Sequence, residues 1–188
     1  EAAVRSVRGI RRRELFRTAA GELFGESDVV EVGNALTRLT DATLEVTLEV
    51  ALASVLARHG VSQAPTRMAV VAMGRYGGFE LSYGSDADVM FVHDPVEGAD
   101  PQLAAIVARD TAHELRRLLA APATDPPLEV DADLRPEGKQ GPLVRTLDAY
   151  AAYYRRWSAV WGVQGPLRAG AVRGGPGVAA PVPPILKP

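Results

Sequence analysis

Cysteine is absent from this 188-residue chain. Its absence excludes disulfide bonds and metal sites built on thiolates. The three histidines, His59, His93 and His113, are isolated in the sequence and lack the spacing of metal ligands. Serine, histidine and aspartate all occur, but without the nucleophile-elbow context of a hydrolase. The composition therefore excludes thiol chemistry and gives no support to a serine hydrolase.

Long apolar runs and basic clusters are also scarce. The longest purely apolar run, residues 68–73, is far shorter than the roughly 20 residues that cross a bilayer. The first residues show no signal-peptide pattern, so we expect no membrane association and a cytoplasmic protein. A net charge of −2 and a pI near 6.0 argue against a nucleic-acid-binding protein, which usually carries a basic stripe. The basic run at residues 11–13 is interpreted as a solvated helix face.

The remaining composition is that of a globular protein. Hydrophobic residues make up 47% and charged residues 23%, which predicts one domain or one domain plus an appendage. Apolar residues at helical spacing predict an N-terminal helical extension over residues 1–62, with Ser27 as the N-cap of its second helix. Residues 162–188 are rich in glycine and proline without periodicity, so we expect an irregular tail there.

The segment between these two regions, residues 63–161, has a mixed pattern. Short apolar runs predict three strands, over residues 68–73, 87–93 and 128–134. Asp100 followed by Pro101 predicts the start of a helix, and an amphipathic stretch over residues 147–161 predicts a last one. This order predicts an α/β (α+β) fold in which a small mixed sheet is flanked by helices.

Two carboxylates one residue apart, Asp86 and Asp88, follow a glycine-rich turn and open the second predicted strand. Because side chains at i and i+2 of a strand share a face, these two like charges are expected to project together. A hard divalent cation is the usual reason to tolerate such repulsion. The glycine-rich turn can offer backbone N–H groups to a phosphate. A metal next to a phosphate indicates nucleotidyl or phosphoryl transfer.

A third carboxylate is expected from the predicted strand over residues 128–134. Asp131, Glu129 and Asp133 share one face of that strand. Any of them would complete a two-metal site, in which Mg²⁺ ions about 3.5–4 Å apart activate an attacking oxygen and clamp the phosphates. The pattern leaves the choice open. For Glu129 and Asp133 the alternative is exposure on a sheet edge, and Lys139 in the following turn is interpreted as solvated.

The order of these motifs resembles the polymerase-β-like nucleotidyltransferase superfamily. Gly74 and Arg75 are followed, after a spacer of about ten residues, by Asp86-Ala87-Asp88 and an apolar residue. Arg75 departs from the Gly or Ser of the superfamily pattern, and this departure is typical of the glutamine synthetase adenylyltransferase/adenylyl-removing enzyme family. Residues 72–94 are similar to that family's signature almost throughout. Residues 129–144 are similar to its other hallmark.

The resemblance implies roles for the acidic residues and for part of the glycine-rich turn. Asp86, Asp88 and Asp131 match the family's three catalytic, Mg²⁺-binding aspartates, while Asp133 falls where many members have arginine. The resemblance further implies that four residues contact ATP and so form the cofactor-binding site: Gly74, Arg75, Ser85 and Arg135. For Arg75 the alternative is a surface ion pair with Glu80.

The resemblance also implies a reaction and its partners. The family's enzymes join two such domains: one transfers AMP from ATP to a tyrosine of glutamine synthetase, and the other removes it with phosphate. Residues 91–94 and Gly77-Gly78 look more like the adenylylating C-terminal half. The implied partners are glutamine synthetase and, through regions outside this chain, the PII signal protein.

Three alternatives stay open. The first is the adenylyl-removing half, which phosphorolyses adenylyl-tyrosine and which the chain resembles less closely. After Trp161, Gly162 and Pro166 replace the helix formers usual in the family, and they would break a helix there. A non-catalytic remnant that binds nucleotide or glutamine synthetase is therefore a second alternative. An RNA-modifying nucleotidyltransferase is disfavoured by the lack of a basic groove in the composition.

Overall fold

Helices and strands alternate along most of the chain in the computed structural model, which describes residues 1–157 and 170–172. The helices within these residues are α1 (Ala2–Leu23), α2 (Val29–His59), α3 (Gly74–Gly77), α4 (Pro101–Ala120) and α5 (Leu147–Trp157). The strands are β1 (Thr66–Ala72), β2 (Ala87–Pro95), β3 (Val130–Asp131), β4 (Val144–Thr146) and β5 (Gly170–Val172). The predicted mixed α/β fold class is confirmed.

Capping residues set where the long helices begin and end. Asp28, and not the predicted Ser27, caps α2: its carboxylate accepts hydrogen bonds from the N–H groups of Val30 and Glu31. The Glu31 carboxylate in turn accepts from the Asp28 N–H, which completes a capping box. Asp100 caps α4 ahead of Pro101, as predicted.

The sheet combines antiparallel and parallel pairs around β2. Strand β1 runs antiparallel to β2. The other edge of β2 is shared by β3, which pairs with its first residues, and by β4, which pairs further along, both in parallel. Helix α4 makes the crossover from β2 to β3 that a parallel pair requires. This topology places the first residues of β2 directly beside β3.

The two faces of the sheet pack against different helices. On one face the core joins residues from α1, α2, α4 and the strands, among them Val4, Leu44, Leu115 and Phe91. On the other face a smaller cluster includes Met90 and Tyr150, the latter from α5. Helices α1 and α2 therefore share a continuous core with the sheet, across the boundary predicted at residue 62.

Two predicted segments differ in the structure. The strand predicted over 128–134 is limited to Val130–Asp131, because the Asp131 carboxylate accepts a hydrogen bond from the Asp133 N–H at 2.7 Å and a turn follows. In the tail, the prediction of irregular structure is wrong for Gly170–Val172, which pairs antiparallel with the open edge of β1. The rest of residues 158–188, including the predicted helix continuation to Trp161, lies outside the described residues.

The interpretation of residues 11–13 as a solvated face is wrong for Arg11. Arg11 is buried, and its guanidinium donates to the carbonyl groups of Pro126 and Pro127. Arg8, one turn earlier, is also buried and donates to the carbonyls of Ala121 at 2.6 Å and Asp125 at 3.1 Å. Helix α1 thus holds the linker between α4 and β3. Only Arg12 and Arg13 of the run are exposed.

We expect Arg8→Met to lower the free energy of unfolding by about 2 kcal/mol, measured by urea denaturation. The substitution keeps an apolar stem but removes two hydrogen bonds from a charged donor, and such bonds contribute about 1.5–3 kcal/mol. The exposed Arg13→Met is the matched control, with an expected change within about 0.5 kcal/mol. Equal stability of the two variants would contradict a stabilising role for the buried guanidinium.

In the part of the chain that the structure describes, no helix combines the length and the apolar character needed to pass through a lipid bilayer.

Candidate functional site

Three carboxylates converge where β2 begins and β3 ends. Asp86 immediately precedes β2, Asp88 is the second residue of β2, and Asp131 is the last residue of β3. The parallel pairing of the two strands sets Asp88 opposite Asp131. One carboxylate oxygen from each of the three residues lies within 4.8 Å of the others. The structure thus brings together the three aspartates singled out in the sequence.

The two alternative acids lie elsewhere. Glu129 is exposed just before β3, and its carbonyl accepts a hydrogen bond from the Ala87 N–H at 2.8 Å. Asp133 lies in the turn after β3 and forms ion pairs with Arg135 at 3.3 Å and Lys139 at 3.2 Å. Neither belongs to the group of three carboxylates. Among the three acids considered for the third position, only Asp131 has the required location.

The electrostatics of this group suit a divalent cation. Burial raises the pKa of Asp88, and the charges of Asp86 and Asp131 raise it further, while the charge of Arg75 acts in the opposite direction. Three converging carboxylates are the oxygen donor set that Mg²⁺ and other hard cations prefer. A bound cation would relieve the repulsion that raises this pKa. The residues present therefore fit a magnesium site.

Gly74 brings the backbone of α3 against Asp88. Its φ of +55° is favourable only for glycine. A Cβ atom at this position would lie 2.7 Å from Asp88 Oδ2, which is closer than such atoms approach in proteins. The Met73 N–H also donates to the Asp88 carbonyl at 2.8 Å. The glycine-rich turn is thus packed against a carboxylate of the candidate metal site.

Residues 74–85, which we call the glycine loop, contain two further residues predicted to contact ATP, Arg75 and Ser85. Ser85 closes the loop ahead of Asp86: its hydroxyl lies 2.9 Å from that of Ser82 and accepts a hydrogen bond from the Ser82 N–H. Arg75 is exposed, and its charge lowers the pKa of Asp88. Contacts of Arg75 and Ser85 with a nucleotide stay predictions.

Arg135 stabilises the turn after β3 by hydrogen bonds. Its side chain is largely buried, and it donates to the carbonyls of Ala132 at 2.7 Å and Gly141 at 3.2 Å as well as pairing with Asp133. Most of its hydrogen-bonding capacity is therefore used inside the protein. A role in contacting ATP stays a prediction for Arg135. Lys139 is 80% exposed, and its ammonium group pairs with Asp133.

A cavity of about 440 Å³ opens beside the carboxylates. Asp86, Asp131 and Lys139 line it together with Arg116 of α4, which sequence reasoning missed. The other arginines of this helix form ion pairs within it, Arg109 with Asp110 and Arg117 with Glu114, whereas the side chain of Arg116 has no hydrogen-bond or ion-pair partner among the described residues.

The sequence around Arg116 does not distinguish it from an ordinary solvent-exposed helix residue. Only the path of α4, which crosses over between β2 and β3, brings it beside the site. Carboxylates for a cation next to guanidinium and ammonium groups form a surface suited to a metal-bound phosphate ester.

Comparison with known proteins agrees with this geometry. The family model described as glutamate-ammonia ligase adenylyltransferase matches residues 1–181. The chain belongs to the glutamate-ammonia ligase adenylyltransferase family. The family resemblance inferred from residues 72–94 and 129–144 is therefore confirmed.

Several enzymes of one name, from Streptomyces and Mycobacterium, are similar to the chain over most of its length. The bifunctional glutamine synthetase adenylyltransferase/adenylyl-removing enzyme of Streptomyces avermitilis is 54% identical, in an alignment that covers 93% of this chain and 18% of that protein. The enzyme of the same name from Streptomyces coelicolor is 51% identical, with 92% and 18% covered. That of Mycobacterium tuberculosis strain H37Rv is 49% identical, with 93% and 17% covered. The chain thus spans less than a fifth of the length of these relatives.

Proposed function

We propose that this chain is a nucleotidyltransferase domain that transfers AMP from ATP to a tyrosine of glutamine synthetase. The convergence of Asp86, Asp88 and Asp131 is the observation that carries the proposal. The names of the relatives, glutamine synthetase adenylyltransferase/adenylyl-removing enzyme, support the identity of the acceptor protein. The reaction forms a bond between the tyrosine oxygen and the α-phosphorus, and it breaks the bond from that phosphorus to the oxygen of the departing pyrophosphate.

The three aspartates would hold Mg²⁺ in this proposal. When bound, Mg²⁺ neutralises phosphate charge and favours departure of pyrophosphate. Asp131 Oδ1 accepts the Asp133 N–H, which fixes the orientation of the carboxylate and leaves Oδ2 available. We assign Asp131 the acceptance of the tyrosine proton at that oxygen.

The glycine loop would orient the triphosphate. Gly74 has no side chain to block the approach to Asp88, and Arg75 supplies a positive charge beside the same carboxylate. Arg116 and Lys139 line the cavity next to Asp86 and Asp131. The positive charges of Arg75, Arg116 and Lys139 would hold an anionic substrate beside the carboxylates.

A labelling experiment tests the reaction directly. The chain is incubated with unmodified glutamine synthetase, Mg²⁺ and ATP labelled at the α-phosphorus, and we expect label on a tyrosine, found by peptide mass spectrometry. ATP labelled at the γ-phosphorus is the control and should leave the acceptor unlabelled. Incorporation of the γ-label would show phosphoryl transfer and would overturn the proposal.

The adenylyl-removing reaction is separated by its product. Adenylylated glutamine synthetase is incubated with the chain, Mg²⁺ and inorganic phosphate, and the release of ADP is measured. Release of ADP without AMP transfer in the labelling experiment would assign the chain to the removing half. Binding of Mg²⁺ and ATP without either product would identify a binding remnant.

A further inference from the structure

The glycine loop contains a buried tyrosine that the proposed chemistry does not use. Tyr76 of α3 has 0% of its surface exposed, and its hydroxyl donates a hydrogen bond to Asp41 Oδ1 at 2.6 Å. Asp41 lies on α2, 35 residues earlier in the chain. Burial raises the pKa of the Asp41 carboxyl, although the hydrogen bond from Tyr76 opposes this effect. Burying the Tyr76 hydroxyl against the half-buried Asp41 carboxylate costs solvation that an apolar contact would not cost.

The Asp41–Tyr76 hydrogen bond lies close to the candidate metal site. Tyr76 is two residues from Gly74, whose backbone lies against Asp88 Oδ2. Helix α3 contains four residues, which is too short for a helix to be stable by itself. Its orientation must therefore come from outside contacts, and the hydrogen bond to α2 is a directional one.

Helices α1 and α2 contact the glycine loop at two further points. A Cβ atom on Gly33 of α2 would lie 2.6 Å from the carbonyl oxygen of Phe79, so glycine permits close approach of the helix to the loop. The Tyr83 hydroxyl donates to Glu22 of α1 at 2.8 Å. The N-terminal helices therefore hold the beginning, middle and end of the loop.

We propose that Asp41 and Tyr76 are positioning residues of the active site, whose hydrogen bond fixes the glycine loop on α2 and thereby places the Gly74 backbone beside Asp88. The inference deepens the proposed function, on which it rests for the identity of the bound ligands. It assigns to α2, which contributes none of the three aspartates, an influence on metal and nucleotide binding.

Four variants test this hydrogen bond. Tyr76→Phe removes the hydroxyl alone, and Asp41→Ala removes the acceptor. Asp41→Asn keeps an oxygen that can accept from Tyr76 and should rescue the loop. Tyr150→Phe is the matched control. Tyr150 is also a buried tyrosine, but it packs on the face of the sheet opposite to α2, and its hydroxyl donates to the Phe91 carbonyl.

Amide hydrogen exchange of the metal-free protein gives a readout that does not depend on activity. We expect exchange in residues 74–85 to accelerate about tenfold or more in Tyr76→Phe and Asp41→Ala, and to stay at the wild-type rate in Asp41→Asn and Tyr150→Phe. Mn²⁺ binding in the presence of ATP, followed by electron paramagnetic resonance, should weaken by about tenfold in the first two variants. The other two variants should bind Mn²⁺ like the wild type.

The outcomes separate this inference from the proposed function. If wild-type protein does not bind Mn²⁺ with ATP, the proposed function fails, and the exchange data still report on the loop. If the wild type binds Mn²⁺ but Tyr76→Phe matches Tyr150→Phe in both measurements, the positioning role is overturned. The same conclusion follows if Asp41→Asn behaves like Asp41→Ala, because the retained hydrogen bond would then have no effect.

Discussion

Asp88→Asn should fold normally and lose the reaction. We expect the rate of AMP transfer to fall by about 10³-fold or more, because a metal ion contributes several kcal/mol of transition-state stabilisation and each 1.36 kcal/mol corresponds to a factor of ten. Mn²⁺ binding, measured by electron paramagnetic resonance, should weaken in parallel. The transfer rate is measured as α-label incorporated into glutamine synthetase.

We also predict how the Asp88→Asn substitution changes the free energy of unfolding. The pKa of Asp88 is raised by burial and by Asp86 and Asp131, so at neutral pH its charge costs folding free energy in the absence of metal. Asparagine removes that charge at nearly constant volume. In EDTA the variant should therefore be at least as stable as the wild type, and addition of Mg²⁺ should stabilise only the wild type.

Asp133→Asn is the matched control for this variant. Asp133 lies two residues from Asp131 and lines the same cavity, but it pairs with Arg135 and Lys139 and lies outside the carboxylate group. We expect it to keep Mn²⁺ binding within a few-fold of the wild type. If Asp133→Asn abolished binding and Asp88→Asn did not, the metal ligands would have been assigned wrongly.

The sequence predicts the first two aspartates of the site better than the third. Asp86 and Asp88 are separated by one residue at the start of a strand, so their shared orientation follows from local geometry. The third position depends on how β3 pairs with β2, and this pairing includes only two residues of β3. Apolar alternation over 128–134 could not distinguish Asp131 from Glu129 and Asp133, because all three would share a face of a longer strand.

Contacts between distant residues explain most of the other differences. Arg8 binds carbonyl groups more than 110 residues away in the linker before β3, and no local pattern distinguishes such an arginine from a solvated one. The same holds for Asp41, whose partner Tyr76 lies on another element. By contrast, the capping box of Asp28 and Glu31 is local, and the sequence contained the signal that would have identified it.

Gly74→Ala should damage the site while leaving the fold in place. The backbone at Gly74 has a φ of +55°, which costs an alanine about 1–2 kcal/mol. The new Cβ would lie 2.7 Å from Asp88 Oδ2, and because this oxygen ends a flexible side chain, the carboxylate will rotate away. We expect Mn²⁺ affinity to fall by about 10- to 100-fold, measured by electron paramagnetic resonance.

Gly98→Ala separates backbone strain from displacement of the carboxylate. Gly98 has a similar φ of +78°, but a Cβ there meets nothing within 4 Å. Both variants should lose about the same free energy of unfolding in EDTA, since both place alanine in the left-handed region. Only Gly74→Ala should lose Mn²⁺ affinity and AMP transfer. Wild-type Mn²⁺ affinity in Gly74→Ala would show that the glycine loop does not set the position of the Asp88 carboxylate, and the loop would then have to be removed from the proposed site.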